Sequence, residues 1–144
     1  MIKKAIPGDE YILAQMARKV WDNNNIKDLE LEFKEIIKSD KEASFIKYIG
    51  YKPVGFSNIS LRYDYVEGTE TSPVGYIEGI YVCEEYRRKG YARKLVKKGE
   101  DWARQVGARE FASDCIFENT TSIAFHKALG FEVANKIVCF RKGL

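Results

Sequence analysis

The sequence predicts a single mixed α/β domain spanning residues 1–144, with a central, mostly antiparallel sheet flanked by helices. Three observations carry this. Apolar residues recur at helical spacing in four separate stretches. Between the second and third stretches lie β-rich runs with no helix among them, which pair antiparallel rather than through repeating βαβ crossovers. No linker, repeat or low-complexity segment divides the chain, and its 45% hydrophobic content suffices for one sizeable core.

The elements follow in order. Ile2 to Ile6 reads as a short strand, and Pro7-Gly8-Asp9 is turn and cap chemistry. Ile12, Leu13, Met16, Ala17, Val20 and Trp21 then mark a first helix. After Asn23-Asn24-Asn25, the spacing of Leu29, Phe33, Ile36 and Ile37 gives a second helix that stops near Ser39. Ala43 to Ile49 and Val54 to Arg62 are strands joined by the turn Gly50 to Pro53. Tyr63 to Pro73 is an exposed acidic loop, and Val74 to Val82 is a third strand, apolar on both faces and so near the middle of the sheet. Ala92, Leu95, Val96, Gly99, Trp102, Ala103 and Val106 form one face of a long helix closed by Gly107. Glu110 to Cys115 is a short strand, Asn119 to Leu129 a short helix closed by Gly130, and Phe131 to Val133 and Ile137 to Arg141 are final strands.

Composition removes several functional classes. The net charge of +3, with both signs interspersed, does not support a nucleic-acid protein. One histidine and three scattered cysteines, Cys83, Cys115 and Cys139, lack the spacing of a metal site, and reduced thiols are expected. No window approaches the length of a membrane span, so a cytoplasmic protein is expected. The basic residues are not evenly spread: Arg87, Arg88, Lys89, Arg93, Lys94, Lys97 and Lys98 crowd one stretch, which points to a local anion.

That stretch carries the chemistry. A strand that ends in a tight, basic, glycine-containing turn and runs at once into a helix aims free backbone N–H groups and the positive helix end at one point. Arg87-Arg88-Lys89-Gly90-Tyr91-Ala92 is such a turn, suited to phosphate, with Gly90 permitting close backbone approach and Ala92 keeping the first helical turn uncrowded. It is neither a GxxxxGK[ST] loop nor a GxGxxG fingerprint.

Arg87-x-x-Gly90-x-Ala92 after the strand Ile77 to Val82, followed by Asn119 and by His126-Lys127-Ala128-Leu129-Gly130-Phe131, resembles the GNAT superfamily of N-acetyltransferases. The resemblance implies acetyl-CoA as cosubstrate. It places the pyrophosphate on the main-chain amides of Arg88, Lys89, Gly90, Tyr91, Ala92 and Arg93. It sets the pantetheine along Ile80, Tyr81 and Val82 like an added strand, with Asn119 bonding its arm. Longer fragments, among them Arg62 to Gly68, Ala112-Ser113-Asp114 and Glu118-Asn119-Thr120, are similar to the aminoglycoside 6′-N-acetyltransferases within that superfamily. By that likeness the substrate positions fall on Trp21, Tyr65, Glu78 and Asp114; one further acidic position falls on Asn135, where the charge is missing.

A polycationic amino sugar needs carboxylates and flat aromatic faces, and these residues supply both. Acetyl transfer needs a neutral amine, a polarised thioester carbonyl and a proton for the leaving thiolate. Glu78 is the candidate to bind the ammonium and take its proton, directly or through water, and a main-chain N–H near Tyr81 or Val82 would hold the thioester oxygen. Many family members protonate the thiolate with a tyrosine four residues before the glycine of the LGF segment, and that position here is His126. The plainer alternatives are a helix-face histidine, a Glu78 paired with a lysine, and a Trp21 that closes the first helix against the core. At the level of the whole chain the alternatives are an N-acetyltransferase of polyamines or proteins, a coenzyme A-binding module without catalysis, and a basic nucleic-acid patch. The late apolar strands suggest a homodimer built through that edge.

Overall fold

The computed structural model describes all residues, Met1 to Leu144. Its elements are β1 (Ile2–Lys4), α1 (Glu10–Ala17), α2 (Ile26–Lys38), β2 (Glu42–Ile49), β3 (Lys52–Arg62), β4 (Val74–Val82), α3 (Tyr91–Gln105), β5 (Phe111–Ala112) and α4 (Thr120–Ala128). One 3-10 turn, Glu84–Tyr86, joins β4 to α3. The strands lie in the order β1-β2-β3-β4-β5, antiparallel except for the parallel pair β4 and β5. The expected fold class therefore holds.

The sheet divides two cores. Phe45 and Ile46, neighbours on β2, point to opposite sides, as successive strand residues must. On one side Ile46, Tyr48 and Phe56 pack under Leu13, Met16, Leu29 and Phe33 of α1 and α2. On the other, Phe45, Ile59 and Ile77 pack under Leu95, Val96, Trp102 and Ala103 of α3. Helix α2 begins where the Asn25 side chain accepts the Asp28 N–H at 2.8 Å, satisfying an otherwise orphaned donor. Helix α3 lies close on the sheet because Gly99 faces Ile59; a Cβ there would come within 2.7 Å of Ile59 Cγ1.

Three boundaries differ from the sequence expectation. Helix α1 ends at Ala17, and Trp21 stands beyond it, its N–H bonded to the Ala17 carbonyl at 2.9 Å and its ring packed against the core. Strand β5 holds two residues rather than the six expected, pairing Gly75 with Phe111 and Tyr76 with Ala112. The final strands do not form. Residues 131–144 carry no regular structure, and Ile137, Val138 and Phe140 are exposed. Alternating apolar residues satisfied the strand pattern, but a pattern does not supply a partner.

The register of β3 against β4 contains a feature invisible in the sequence. Asn58 lies opposite Gly79 and Ile59 opposite Ile77, so Glu78 is the extra residue of a β-bulge. The bulge changes which residues face the α1 side: Tyr76 before it, Gly79 and Tyr81 after it.

Candidate active site

Two features of β4 define the site. Beyond Tyr76 its outer edge loses β5, so the backbone from Ile77 to Val82 is open on that side. An open strand edge accepts an extended, amide-bearing chain. At the end of β4 the chain turns through Arg88, with φ 64°, and Gly90, with φ 78°, into the first turn of α3. Left-handed conformation at a non-glycine residue is costly and gathers at functional turns. Here it presents consecutive amide N–H groups of the Arg88 to Arg93 segment as an anion nest at a helix N-terminus. A Cβ on Gly90 would meet no protein atom within 4 Å, so within the chain glycine is favoured by its dihedral angles. The Arg87 guanidinium turns back to the Val82 carbonyl at 2.8 Å and ties the turn to the strand end.

The bulge gathers polar groups on the α1 side of the sheet. Glu78 Oε1 accepts from the Ser60 hydroxyl at 2.6 Å and from Arg62 Nε at 2.9 Å, and Oε2 accepts from Arg62 Nη2 at 2.9 Å. The Arg62 guanidinium lies 3.4 Å from the Tyr76 ring centroid. The Tyr76 hydroxyl donates to Asp114 Oδ2. Burial by itself raises the Glu78 pKa, but the Arg62 guanidinium and the Ser60 hydroxyl outweigh it and hold the carboxyl below its ordinary value. Burial, reinforced by the bond to Asp114, pushes the Tyr76 phenol up, so it stays a donor. The cluster thus holds two carboxylates, each already engaged.

Glu78 and Asp114 are therefore brought together through Arg62 and Tyr76, two residues the sequence argument did not single out. Only the spacing of Arg62, Tyr76 and Glu78 on paired strands could have revealed them, and the bulge obscures that spacing. Trp21 joins the cluster from above: a Cβ on Gly79, next to Glu78, would lie 2.6 Å from Trp21 Cη2. Its ring also contacts Phe56, with centroids 6.4 Å apart. Tyr65 stands apart in the acidic loop, three-quarters exposed, its hydroxyl accepting the Gly68 N–H at 3.2 Å. Asn135 donates to Glu67 Oε1 at 2.8 Å, which fastens the C-terminal segment to that loop.

On the other side of the sheet, Asn119 caps α4 by accepting the Ser122 N–H at 3.0 Å. Its oxygen is thereby engaged in the chain, which leaves the amide NH₂ for a ligand. His126 lies on α4 between Phe125 and Phe131, Nε2 2.8 Å from Ser113 Oγ and Nδ1 2.7 Å from the Ser122 carbonyl oxygen. Cys83, Cys115 and Cys139 are free, and no group of three or more His, Cys, Asp or Glu converges to hold a metal. No helix is long and apolar enough to cross a membrane.

A strand with an open edge leads into a turn with free amides beside an acidic cluster, and residues 12–131 match the acetyltransferase (GNAT) family model. The chain belongs to that family. It is 37% identical over 128 residues to an aminoglycoside N(6′)-acetyltransferase type 1 of Acinetobacter haemolyticus, covering 89% of this chain and 88% of that one. It is 42% identical over 108 residues to the protein of the same name from Salmonella typhimurium, covering 75% and 74%. Among solved structures it is similar to aminoglycoside acetyltransferase AAC(6′)-Iy in complex with the bisubstrate analog CoA-S-monomethyl-acetylneamine. That match has TM-score 0.95 and 33% identity, covering 100% of this chain and 98% of that one. The apo aminoglycoside 6′-N-acetyltransferase AAC(6′)-IG of Acinetobacter haemolyticus matches with TM-score 0.92 and 34% identity, covering 100% and 99%.

Proposed function

We propose that this chain transfers the acetyl group of acetyl-CoA to the 6′-amine of aminoglycosides, by direct attack in a ternary complex. One observation carries the reading: the bulge at Glu78 sets an acidic, aromatic-walled cluster against a strand edge that leads straight into the anion nest. Membership of the acetyltransferase family supports the cosubstrate, and the relatives' names support the acceptor. Residues 88–93 hold the pyrophosphate, Ile80 to Val82 and Asn119 the pantetheine arm, and no metal is used. Trp21, Tyr65, Glu78 and Asp114 bind the amino sugar. A carboxylate held as low as Glu78 binds an ammonium first and accepts its proton second, through water. Acetyl-CoA places the reaction in the cytoplasm.

A thiol-release assay tests the acceptor. Neomycin and paromomycin differ at the 6′ position, amine against hydroxyl; release with neomycin and none with paromomycin is expected. Release with spermidine or peptides and none with kanamycin or tobramycin would transfer the reading to another amine. We propose further that the chain is a homodimer, the apolar side chains of Ile137, Val138 and Phe140 being covered by a second copy. Sedimentation at micromolar concentration should give a dimer, and Phe140→Asp should give a monomer. Monomer alone for the unaltered chain overturns this.

A further inference from the structure

We propose that Ser113 delivers the proton to the departing thiolate and that His126 acts behind it as the relay that resupplies it. The inference rests on the acetyl transfer proposed above, but not on which amine is the acceptor.

The hydrogen bonds of His126 define its role. A carbonyl oxygen only accepts, so the 2.7 Å contact to Ser122 makes Nδ1 the donor. In the neutral ring Nε2 is then bare and accepts from the Ser113 hydroxyl at 2.8 Å; in the charged ring Nε2–H donates to Ser113 Oγ instead. Both nitrogens are thereby engaged within the chain. The rings of Phe125 and Phe131 stand edge-on to the imidazole, with centroids 5.7 Å and 5.3 Å away. A proton leaving this imidazole by its Nε2 passes to Ser113 Oγ.

Ser113 sits where such a proton is needed. The last paired residue of β5 is Ala112, opposite Tyr76, and the two chains diverge from there. Ser113 is the first residue past the divergence and turns toward α4. Asp114, the next, bonds Tyr76 on the opposite side of the sheet. The hydroxyl therefore stands at the start of the split between β4 and β5, where the proposed pantetheine arm would present its thioester, and one residue from the carboxylate proposed to bind the amine.

The step balances. As the tetrahedral intermediate collapses, the C–S bond breaks and its electron pair goes to sulfur. The Ser113 hydroxyl proton moves to that thiolate, and the Nε2 proton of the imidazolium moves to Ser113 Oγ. The substrate ammonium sheds two protons in becoming an amide: one passes through water to Glu78 and on to solvent, and the other is returned by solvent, through Ser113 Oγ, to Nε2 of the neutral ring, which keeps its Nδ1–H throughout. No other reactant enters.

The test uses Ser113→Ala, Ser113→Thr, His126→Gln and the double variant Ser113→Ala/His126→Gln, with whichever amine the unaltered enzyme turns over. Ser113→Ala and His126→Gln should each lower kcat by about 10²-fold with both KM values within about threefold, and the double variant should lose no more than either. Ser113→Thr, which keeps the hydroxyl, should restore most of kcat. Full kcat in Ser113→Ala, or loss in His126→Gln alone, overturns the relay.

A second measurement needs no acceptor. His126 is the only histidine, so its ring nitrogens are assigned without ambiguity in a ¹⁵N spectrum. The neutral ring should carry its proton on Nδ1, and Ser113→Ala should move the Nε2 resonance while leaving Nδ1–H in place. A neutral ring protonated on Nε2 overturns the relay even where an aminoglycoside is acetylated. Conversely, an acceptor other than an aminoglycoside overturns the proposed function and not the relay.

Discussion

Gly79→Ala isolates the acceptor platform from everything else the site does. The methyl group would come within 2.6 Å of Trp21 Cη2 and 2.8 Å of Cζ2. Carbon atoms rest about 3.5–4.0 Å apart, so the indole must retreat by about 1 Å or more. It can do so by sliding against Phe56, because Trp21 stands beyond the end of α1, where its main chain is held by a single turn. The strand itself should tolerate the change, since alanine in a strand interior is favoured over glycine by about 0.5–1 kcal/mol. Displacing an aromatic face from a bound ammonium costs about 1–2 kcal/mol, or about 5- to 30-fold in the KM of the amino sugar. The KM of acetyl-CoA should not change, because Gly79 lies on the α1 side of the sheet, away from the anion nest. Steady-state thiol release at fixed acetyl-CoA, varying tobramycin, reads the effect. Trp21→Ala should lose a similar amount and the double variant little more, since both act through one ring. An unchanged tobramycin KM in a folded Gly79→Ala protein would refute the assignment of Trp21.

Arg62→Gln removes the group that most lowers the Glu78 pKa; the folded carboxyl rises, and the acid limb of kcat/KM should move to higher pH. The sign is the same for stability. A carboxyl depressed by folding contributes fully above its unfolded pKa and loses that contribution as pH falls through the folded value, so acid unfolding should begin at higher pH in Arg62→Gln. An unmoved profile contradicts the pairing as drawn. Glu78→Gln should lower kcat/KM for the amine by about 10²-fold or more while calorimetric binding of coenzyme A stays intact. Gly90→Ala should weaken coenzyme A, and Gly90→Asn should weaken it less, because asparagine tolerates a φ of 78° better than alanine. Gly99→Val should lower stability by about 1–3 kcal/mol in urea unfolding, through collision with Ile59.

The elements that carry the proposed cofactor half of the site were legible because their information is local. A strand, a basic turn, Gly90 and an amphipathic helix lie in one continuous run, and each imposes its own conformation. The helices and the three long strands were legible for the same reason. The acceptor half was only partly so. Glu78, Asp114 and Trp21 stand out as residue types, but their meeting depends on the slip of β3 against β4, and one added residue in a ladder leaves no mark in a hydrophobic pattern. Arg62 and Tyr76 were missed because each looks ordinary in its own strand. Residues 131–144 failed in the opposite way: alternation suggested strands, while pairing is a property of two segments, and none of the five strands pairs with this one.

The position of Arg62 bears on how the acceptor is chosen. Its guanidinium fills the place where a cation would be bound, against the Tyr76 ring at 3.4 Å and across both oxygens of Glu78. A single ammonium arriving there exchanges one ion pair for another and gains little, because a part-exposed pair is worth only about 1 kcal/mol. A ligand with several ammonium groups does better. It engages Asp114 and the Trp21 face at the same time as it competes for Glu78, and the later contacts are made intramolecularly once the first has formed. Were this cluster the acceptor site, as proposed, the resident arginine would bias it against monoamines and toward a polycationic sugar over a lysine side chain. The same pairing keeps Glu78 ionised in the absence of substrate, so the carboxylate needs no deprotonation before the amine arrives.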